Sequence, residues 1–255
     1  MLKRSLICSN IFIFLKTCSI VQLIVNLDPN NFEMPYDHSY QLYSSLLSLL
    51  DRVKPGIASQ LHGYSPDLRF SLSQIMPGGK RRFTKLGFSG ERFIFFISSF
   101  NKSLLSEIRE SLEKSGSIIV FNNKFQIHSV LYREVNPSSE IITIHSRSPI
   151  ILKTGQGYLF SEPKEDILKA IDSNIRSKYL KANGREPNIR FIQIQDIKTK
   201  KVGIKGVKIP GFLINFTISA DLDVLSFILT VGLGSKNKLG FGFIEEEKQG
   251  DFHGF

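Results

Sequence analysis

Tryptophan is absent from this 255-residue chain, and cysteine occurs only twice, at Cys8 and Cys18. No Cys-x-x-Cys pair exists, and no group of Cys and His has zinc-ligand spacing, so no metal site is expected. A disulfide framework is excluded, which fits a reducing, cytoplasmic setting. A single Cys8–Cys18 bridge stays open. Long apolar runs are missing too. Met1-Leu2-Lys3-Arg4 followed by Leu6 to Leu15 has a basic and then an apolar part, but Asn10 interrupts it and Lys16 ends it. That run is too short to cross a membrane, and no small-x-small cleavage site follows. Residues 1–19 therefore read as an extension ahead of the first core strand. A secretory signal is the competing reading, and no membrane partner is expected.

What the chain does have is cationic charge. Lys and Arg number 33 against 23 Asp and Glu, a net charge of +10. Such a balance favours polyanionic partners, nucleic acid before anionic lipid, with a merely soluble basic protein as the bland alternative. Hydrophobic residues make up 42% and charged residues 22%, a composition that suits a packed core and argues against global disorder. The length suits one large domain or two small ones. Twenty-one Phe rings serve either packing or base stacking; composition does not choose between them.

Ile20 to Leu27 reads as a strand, β-branched and ended by Asp28-Pro29-Asn30. Leu42, Leu46, Leu49, Leu50 and Val53 recur every three or four positions, which predicts a helix from Asp37 or His38 to Val53. Pro55 opens a second short helix that Gly63 stops. Leu68 to Gln74 is a candidate strand, Pro77-Gly78-Gly79 a turn, and Glu91 to Phe100 a buried strand with Phe93, Phe95 and Phe96 in the core. A helix to Lys114 and strands from Ile118 to Tyr132 complete the first half. After Asn136-Pro137-Ser138-Ser139 the order recurs. Glu140 to Ser146 is a strand, Pro163 to Ala182 a helix, and Ile189 to Lys198 and Val207 to Ile218 are strands. Asp221 caps a helix to Leu229, and Leu239 to Glu245 is the last strand. Each half thus runs strand, helix, strand, strand, helix, strand. The expected fold class is α+β with tandem ferredoxin-like βαββαβ domains. The expected divisions are an extension over 1–19, a first domain over 20–135, a second over 136–247 and a tail over 248–255.

Near the C-terminus Gly232, Gly234, Gly240 and Gly242 fall in the pattern G-h-G-x5-G-h-G, where h is apolar, with Lys236 and Lys238 between them. Glycine permits positive φ and close backbone approach, so such a loop can turn sharply and present N–H groups to phosphate, with the lysines adding charge. A dinucleotide fingerprint would need glycine at Asn237, and a Walker loop would need a terminal Gly-Lys-Ser/Thr. A glycine-rich hairpin or bulge is the structural alternative.

At these residues the chain resembles the CRISPR-associated endoribonucleases of the Cas-six type, in the RAMP superfamily. Their hallmark is this C-terminal loop with a basic residue among its five central positions, and the match runs from Gly232 to Gly242. The doubled element order is similar to that family's tandem RRM-like fold over about Ile20 to Glu246. The resemblance implies cleavage of precursor CRISPR RNA within its repeats by the RNA's own 2′-hydroxyl. The products would be a 2′,3′-cyclic phosphate and a 5′-hydroxyl, with no metal or cofactor. Implied partners are the repeat RNA, other CRISPR-associated subunits and, as an open alternative, a second copy of the chain.

The reaction needs a base near the 2′-hydroxyl, an acid near the leaving 5′-oxygen and a cation at the phosphate. Ile57 to Gly63 resembles the family's stretch that ends in its catalytic histidine, which assigns His62. A helix C-terminus favours protonated imidazole, as acid or phosphate clamp; capping of the helix carbonyls is the alternative. Many members carry a tyrosine at the position of Leu47, so this chain departs there. Tyr43, one turn away, is the substitute candidate, with packing as its alternative. The departure leaves the general acid open and keeps a non-catalytic RNA-binding subunit as the second reading. Arg69, beside the position that matches the family's third, basic residue, is the candidate for phosphate stabilisation. Lys80, Arg81 and Arg82 read as projecting from the Gly78-Gly79 turn and extending a phosphate track. Among the other histidines, His38 reads as a surface or capping residue, His128 and His145 as sheet residues, and His253 as part of the tail.

Overall fold

The computed structural model describes residues 20–62, 69–155, 157–160 and 163–247, His62 by its backbone alone. The expected extension over 1–19 and tail over 248–255 lie outside the described residues. The first half contains β1 (Ile20–Leu27), β2 (Met34–Pro35), α1 (Ser39–Val53), α2 (Ile57–His62), β3 (Ser71–Leu72) and β4 (Met76–Phe83), then β5 (Gly87–Ser99), α3 (Lys102–Ser115), β6 (Ser117–Val120) and β7 (Asn123–Val135). The second contains β8 (Ile141–Ser146), a small ribbon of β9 (Lys153–Thr154) and β10 (Gly157–Tyr158), α4 (Lys164–Asn183), β11 (Ile189–Ile204), β12 (Val207–Ala220), α5 (Leu222–Val231) and β13 (Ile244–Glu246).

Strand periodicity sorts the first sheet. Leu23, Val25 and Leu27 share one face of β1 and are fully buried, as the two-residue repeat requires. Leu42, Leu46 and Leu50 of α1 and Leu104, Ile108 and Leu112 of α3 close over them in one core. Asn101 caps α3 by accepting from Leu104 N at 2.9 Å, and Gly116 ends it in the left-handed region at φ 61°. In the second half Ile167, Ile171, Ile175 and Tyr179 make the buried stripe of α4 and pack with Ile142, Ile144, Phe216 and Ile218 of the sheet.

The first sheet runs β4–β5–β1–β7–β6, and β2 and β3 also pair with β5. The second runs β11–β12–β8–β13. In each, the first and third long strands lie centrally, flanked by the second and fourth. This is the ferredoxin-like order, twice.

The halves meet along their sheets. Phe96 stacks on Phe243 with ring centroids 5.8 Å apart. Arg133 of β7 donates to Gln22 Oε1 at 2.6 Å and to the Glu245 carboxylate of β13, which Arg147 also binds. Burial alone would raise the Glu245 carboxyl, but the two guanidinium groups outweigh it and hold the pKa below the ordinary range.

Four local expectations are corrected. Pro77-Gly78-Gly79 is not the hairpin turn but part of β4, where the register against β5 shifts between Gly78 and Arg81. The turn falls later, where Thr84 N donates to Gly87 O at 2.9 Å. The last strand begins at Ile244 rather than Leu239, because Gly240 and Gly242 take φ of +87° and +67°. Asp221 makes no side-chain cap to α5; its carboxylate binds Asn188 and Arg190 instead, each at 3.0 Å. His38 stands at the N-cap position of α1, but it is not a surface residue and its side chain makes no cap hydrogen bond. It is 1% exposed, its Nδ1 is 2.7 Å from Pro35 O and its Nε2 accepts from Ile75 N at 2.9 Å.

Candidate active site

The glycine run is a framed loop. Gly232 ends α5 at φ 72°, and a Cβ there would stand 2.6 Å from Gly242 O. At Gly242 a Cβ would drive into the carbonyl oxygen of Leu233, whose N–H donates to Gly242 O at 2.8 Å. The two Gly-x-Gly ends therefore lie backbone against backbone, a fit no other residue permits. Asn237, in the middle of the run, clasps both ends: its Nδ2 donates to Leu233 O at 2.8 Å and Phe241 O at 3.0 Å.

This geometry corrects the expectation that the glycine amides face a phosphate. Gly232 N donates to Ile228 O, Gly234 N to Asn174 Oδ1, Gly240 N to Asn237 O and Gly242 N to Pro149 O. All four glycines are buried, while residues 235–239 are half-exposed. The glycines shape the loop, and its central residues meet the solvent.

The loop reaches across to the first half. Lys238 Nζ donates to Leu61 O at 2.7 Å, in the last turn of α2, next to the backbone of His62. A helix end exposes unpaired carbonyls, and the lysine satisfies one. Gly240 lies against Ser39, the first residue of α1, and against Ser73 O. Ser71 Oγ donates to Thr230 O at 2.7 Å, tying β3 to the end of α5. His62, Arg69 and the loop lysine thus share one end of the molecule.

Arg69 is half-exposed and precedes the buried Phe70, over whose ring Lys238 Nζ sits 5.9 Å from the centroid. Burial, and then the Arg69 charge, lower the Lys238 pKa. Lys178 of α4, absent from the sequence reading, lies under the same loop and donates from Nζ to Gly232 O at 2.9 Å and Asn237 Oδ1 at 2.8 Å. Burial first and Arg69 second push its pKa down to about 7. The available signal was a polar pair, Asn174 and Lys178, spaced i and i+4 beside the apolar stripe of α4.

Tyr43, unlike the half-exposed Arg69 and Lys238, is buried. It is 4% exposed, its ring stacks on Phe70 at 6.5 Å, and burial raises its pKa, with Tyr40 adding to the shift. Tyr40 is half-exposed instead, with Lys205 from the β11–β12 hairpin 4.6 Å above its ring. Asp37 anchors that hairpin by accepting from Gly203 N at 3.0 Å and Lys208 Nζ at 2.6 Å. Lys80, Arg81 and Arg82 are exposed on β4. Among the described residues, no hydrogen bond or ion pair joins these three to the loop.

The family description "CRISPR-associated protein Cas6, N-terminal" matches residues 33–135, and "CRISPR associated protein Cas6, C-terminal" matches residues 132–246. The chain belongs to the Cas6 family. It is 23% identical over 238 residues to the CRISPR-associated endoribonuclease Cas6 of Pyrococcus furiosus, covering 89% of each chain. With the CRISPR-associated endoribonuclease Cas6 1 of Methanocaldococcus jannaschii it shares 26% over 245 residues, 88% of this chain and 92% of the relative. A solved structure described as "an RAMP protein binding different RNA substrates" superposes with a TM-score of 0.77 at 23% identity, over 89% of this chain and all (100%) of the other. A Cas6 product complex superposes with a TM-score of 0.65 at 14% identity, over 91% of this chain and 100% of the other. At such identities the superpositions speak for the Cas6 fold.

Proposed function

We propose that the chain is an endoribonuclease that cuts precursor CRISPR RNA within its repeats, without a metal, and holds its RNA with the glycine loop. The single observation that carries this reading is the bond from Lys238 to Leu61 O, 2.7 Å long, because it sets a loop cation beside the helix end that bears His62. Support also comes from the names of the curated relatives.

In this reading the 2′-oxygen attacks the adjacent phosphorus and the bond to the 5′-oxygen breaks. The 2′-hydroxyl proton leaves to a base and a proton reaches the departing oxygen, so the ends are a 2′,3′-cyclic phosphate and a 5′-hydroxyl. His62 is the proton-moving group. Arg69 and Lys238 offset the charge that builds on the pentavalent phosphorus. Gly232, Gly234, Gly240 and Gly242 hold the loop in shape. Lys236 and Lys238 meet the RNA backbone, and Lys80, Arg81 and Arg82 extend the cationic surface along β4.

Incubation with repeat RNA in EDTA tests this directly. Cleavage by the wild type, with a loss of about a hundredfold or more in His62→Ala, is expected. Intact RNA after long incubation, or full activity of the variant, overturns it. Tight binding without cleavage would mark a non-catalytic RNA-binding subunit.

A further inference from the structure

A group of side chains at the turn between β4 and β5 has no part in the cleavage step. Tyr36 is 45% exposed, Phe83 60% and Leu86 81%. Large apolar side chains scattered singly need no explanation, but grouped ones mark a contact surface. These are grouped. The register sets Phe83 of β4 opposite Phe88 of β5, with ring centroids 6.5 Å apart. Tyr36, directly after β2, leans on the same ring at 5.9 Å, and its hydroxyl donates to Thr84 O in the turn at 3.0 Å. Phe88 itself is buried, edge-on to His38 at 5.7 Å and to Phe93 at 5.8 Å. Tyr36 and Phe83 are thus fixed by one core ring, tilted at 50° and 48° to it, and both stay open to solvent.

The same turn is cationic. Lys80, Arg81, Arg82 and Lys85 are exposed, and among the described residues none of their side chains forms an ion pair or a hydrogen bond. The nearby carboxylates are engaged differently: Glu33 takes the Thr84 hydroxyl, and Glu91 lies against Gly79. Strand alternation puts Arg81 on the face of Phe83, and Arg81 stands opposite Gly90, which sets no side chain against it. Open rings beside unpaired cations fit a partner with flat apolar faces and an anionic edge. An unpaired stretch of nucleic acid has that chemistry, its bases stacking on rings while its phosphates meet cations. A duplex hides its base faces, so the fit is to a single strand. The surface also continues towards the candidate site. Gly240 of the glycine loop lies against Ser39, three residues after Tyr36, so the Cα atoms of Tyr36 and Ser39 are no more than about 11 Å apart.

We propose that Tyr36 and Phe83 form a stacking platform for unpaired bases of the RNA, with Leu86 flanking it and Arg81 meeting the adjacent phosphate. The inference rests on the RNA-binding reading above and extends it from charge along β4 to recognition of base faces. Every base has such a face, so the platform selects unpaired RNA and not a particular sequence.

The chain has no tryptophan, so Phe83→Trp places a single reporter in the platform. The full chain carrying it is titrated with a repeat RNA made uncleavable by a 2′-deoxy sugar at its mapped cleavage position. A matching set of RNAs has successive pairs of nucleotides made abasic. The intact RNA is expected to quench the fluorescence, and one abasic pair to abolish the quenching. At that pair the wild-type Kd should rise about tenfold. Phe83→Leu keeps apolar bulk without a ring. It should bind the intact RNA about tenfold more weakly and be indifferent to that abasic pair. Its salt slope should match the wild type, whereas Arg81→Gln should make the slope shallower by a little under one unit. Tight binding by Phe83→Trp with unchanged fluorescence overturns the platform and leaves the patch to a protein partner. Quenching that survives every abasic pair overturns it as well. Absence of RNA binding by the wild type overturns the RNA-binding reading and this inference with it.

Discussion

Lys238 of the glycine loop caps Leu61 O at 2.7 Å, so the second half of the chain closes on the helix that ends in His62. Removing the ammonium in Lys238→Gln is expected to lower kcat/KM for repeat RNA by about tenfold to a hundredfold at moderate salt. The salt dependence of binding should also become shallower, by a little under one unit of log K against log salt. Cleavage kinetics at limiting RNA check the first, and filter binding at several salt concentrations checks the second. An unchanged slope would mean that Lys238 acts on the helix alone and does not meet the RNA.

Glycine substitutions separate the frame of the loop from ordinary helix stops. Gly242→Ala would push a methyl into Leu233 O at φ +67°, whereas Gly184 at φ +70° has nothing within 4 Å of its Cβ position. Gly184→Ala is therefore expected to cost about 1 kcal/mol, from backbone strain alone. Gly242→Ala should lower the melting temperature at least twice as far and weaken RNA binding with it. Equal shifts in thermal melts would argue against the tight backbone pairing.

Stability should fall in mild acid because of His38. Burial holds its folded pKa at about 4, below the ordinary 6.5, against smaller opposing effects of the Pro35 carbonyl and Asp37. The unfolded chain then binds one more proton between those values, so the contribution is fully present above pH 6.5 and is lost as pH falls towards 4. The loss is about 3 kcal/mol at most. Urea midpoints at pH 7.5, 6 and 5 check the slope, and His38→Gln should flatten it. A wild-type profile that is flat over this range would contradict the buried neutral imidazole.

Tyr43→Phe is expected to keep cleavage within about threefold, since a general acid or base would contribute far more. Single-turnover rates decide it, and a loss of a hundredfold would return Tyr43 to the chemistry.

Much of the fold was legible because burial imposes a period. The leucines of α1 and the Ile167-Ile171-Ile175-Tyr179 stripe of α4 announce their helices. What was hidden depends on partners far along the chain. Pro77-Gly78-Gly79 carries every local sign of a turn, yet pairing with β5 keeps it in a strand. Leu239, Phe241 and Phe243 alternate like a strand, but the glycines between them take positive φ. At the site, His62 and Arg69 came from resemblance and the loop from its own spacing. Lys178 was missed because lysine beside an apolar helical stripe reads as solvated, and its loop acceptors, Gly232 O and Asn237 Oδ1, lie more than fifty residues downstream. His38 was misread for a similar reason: its Nε2 partner, Ile75 N, lies thirty-seven residues away.

One measurement bears most directly on RNA cleavage by the 2′-hydroxyl. A repeat RNA carrying hydrogen in place of that hydroxyl, beside the scissile phosphate, is incubated with the wild-type chain in EDTA next to the unmodified RNA. The unmodified strand should be cut to a 2′,3′-cyclic phosphate end, and the substituted strand should bind with similar affinity and stay whole. Cleavage of the substituted strand at the same position would contradict the mechanism.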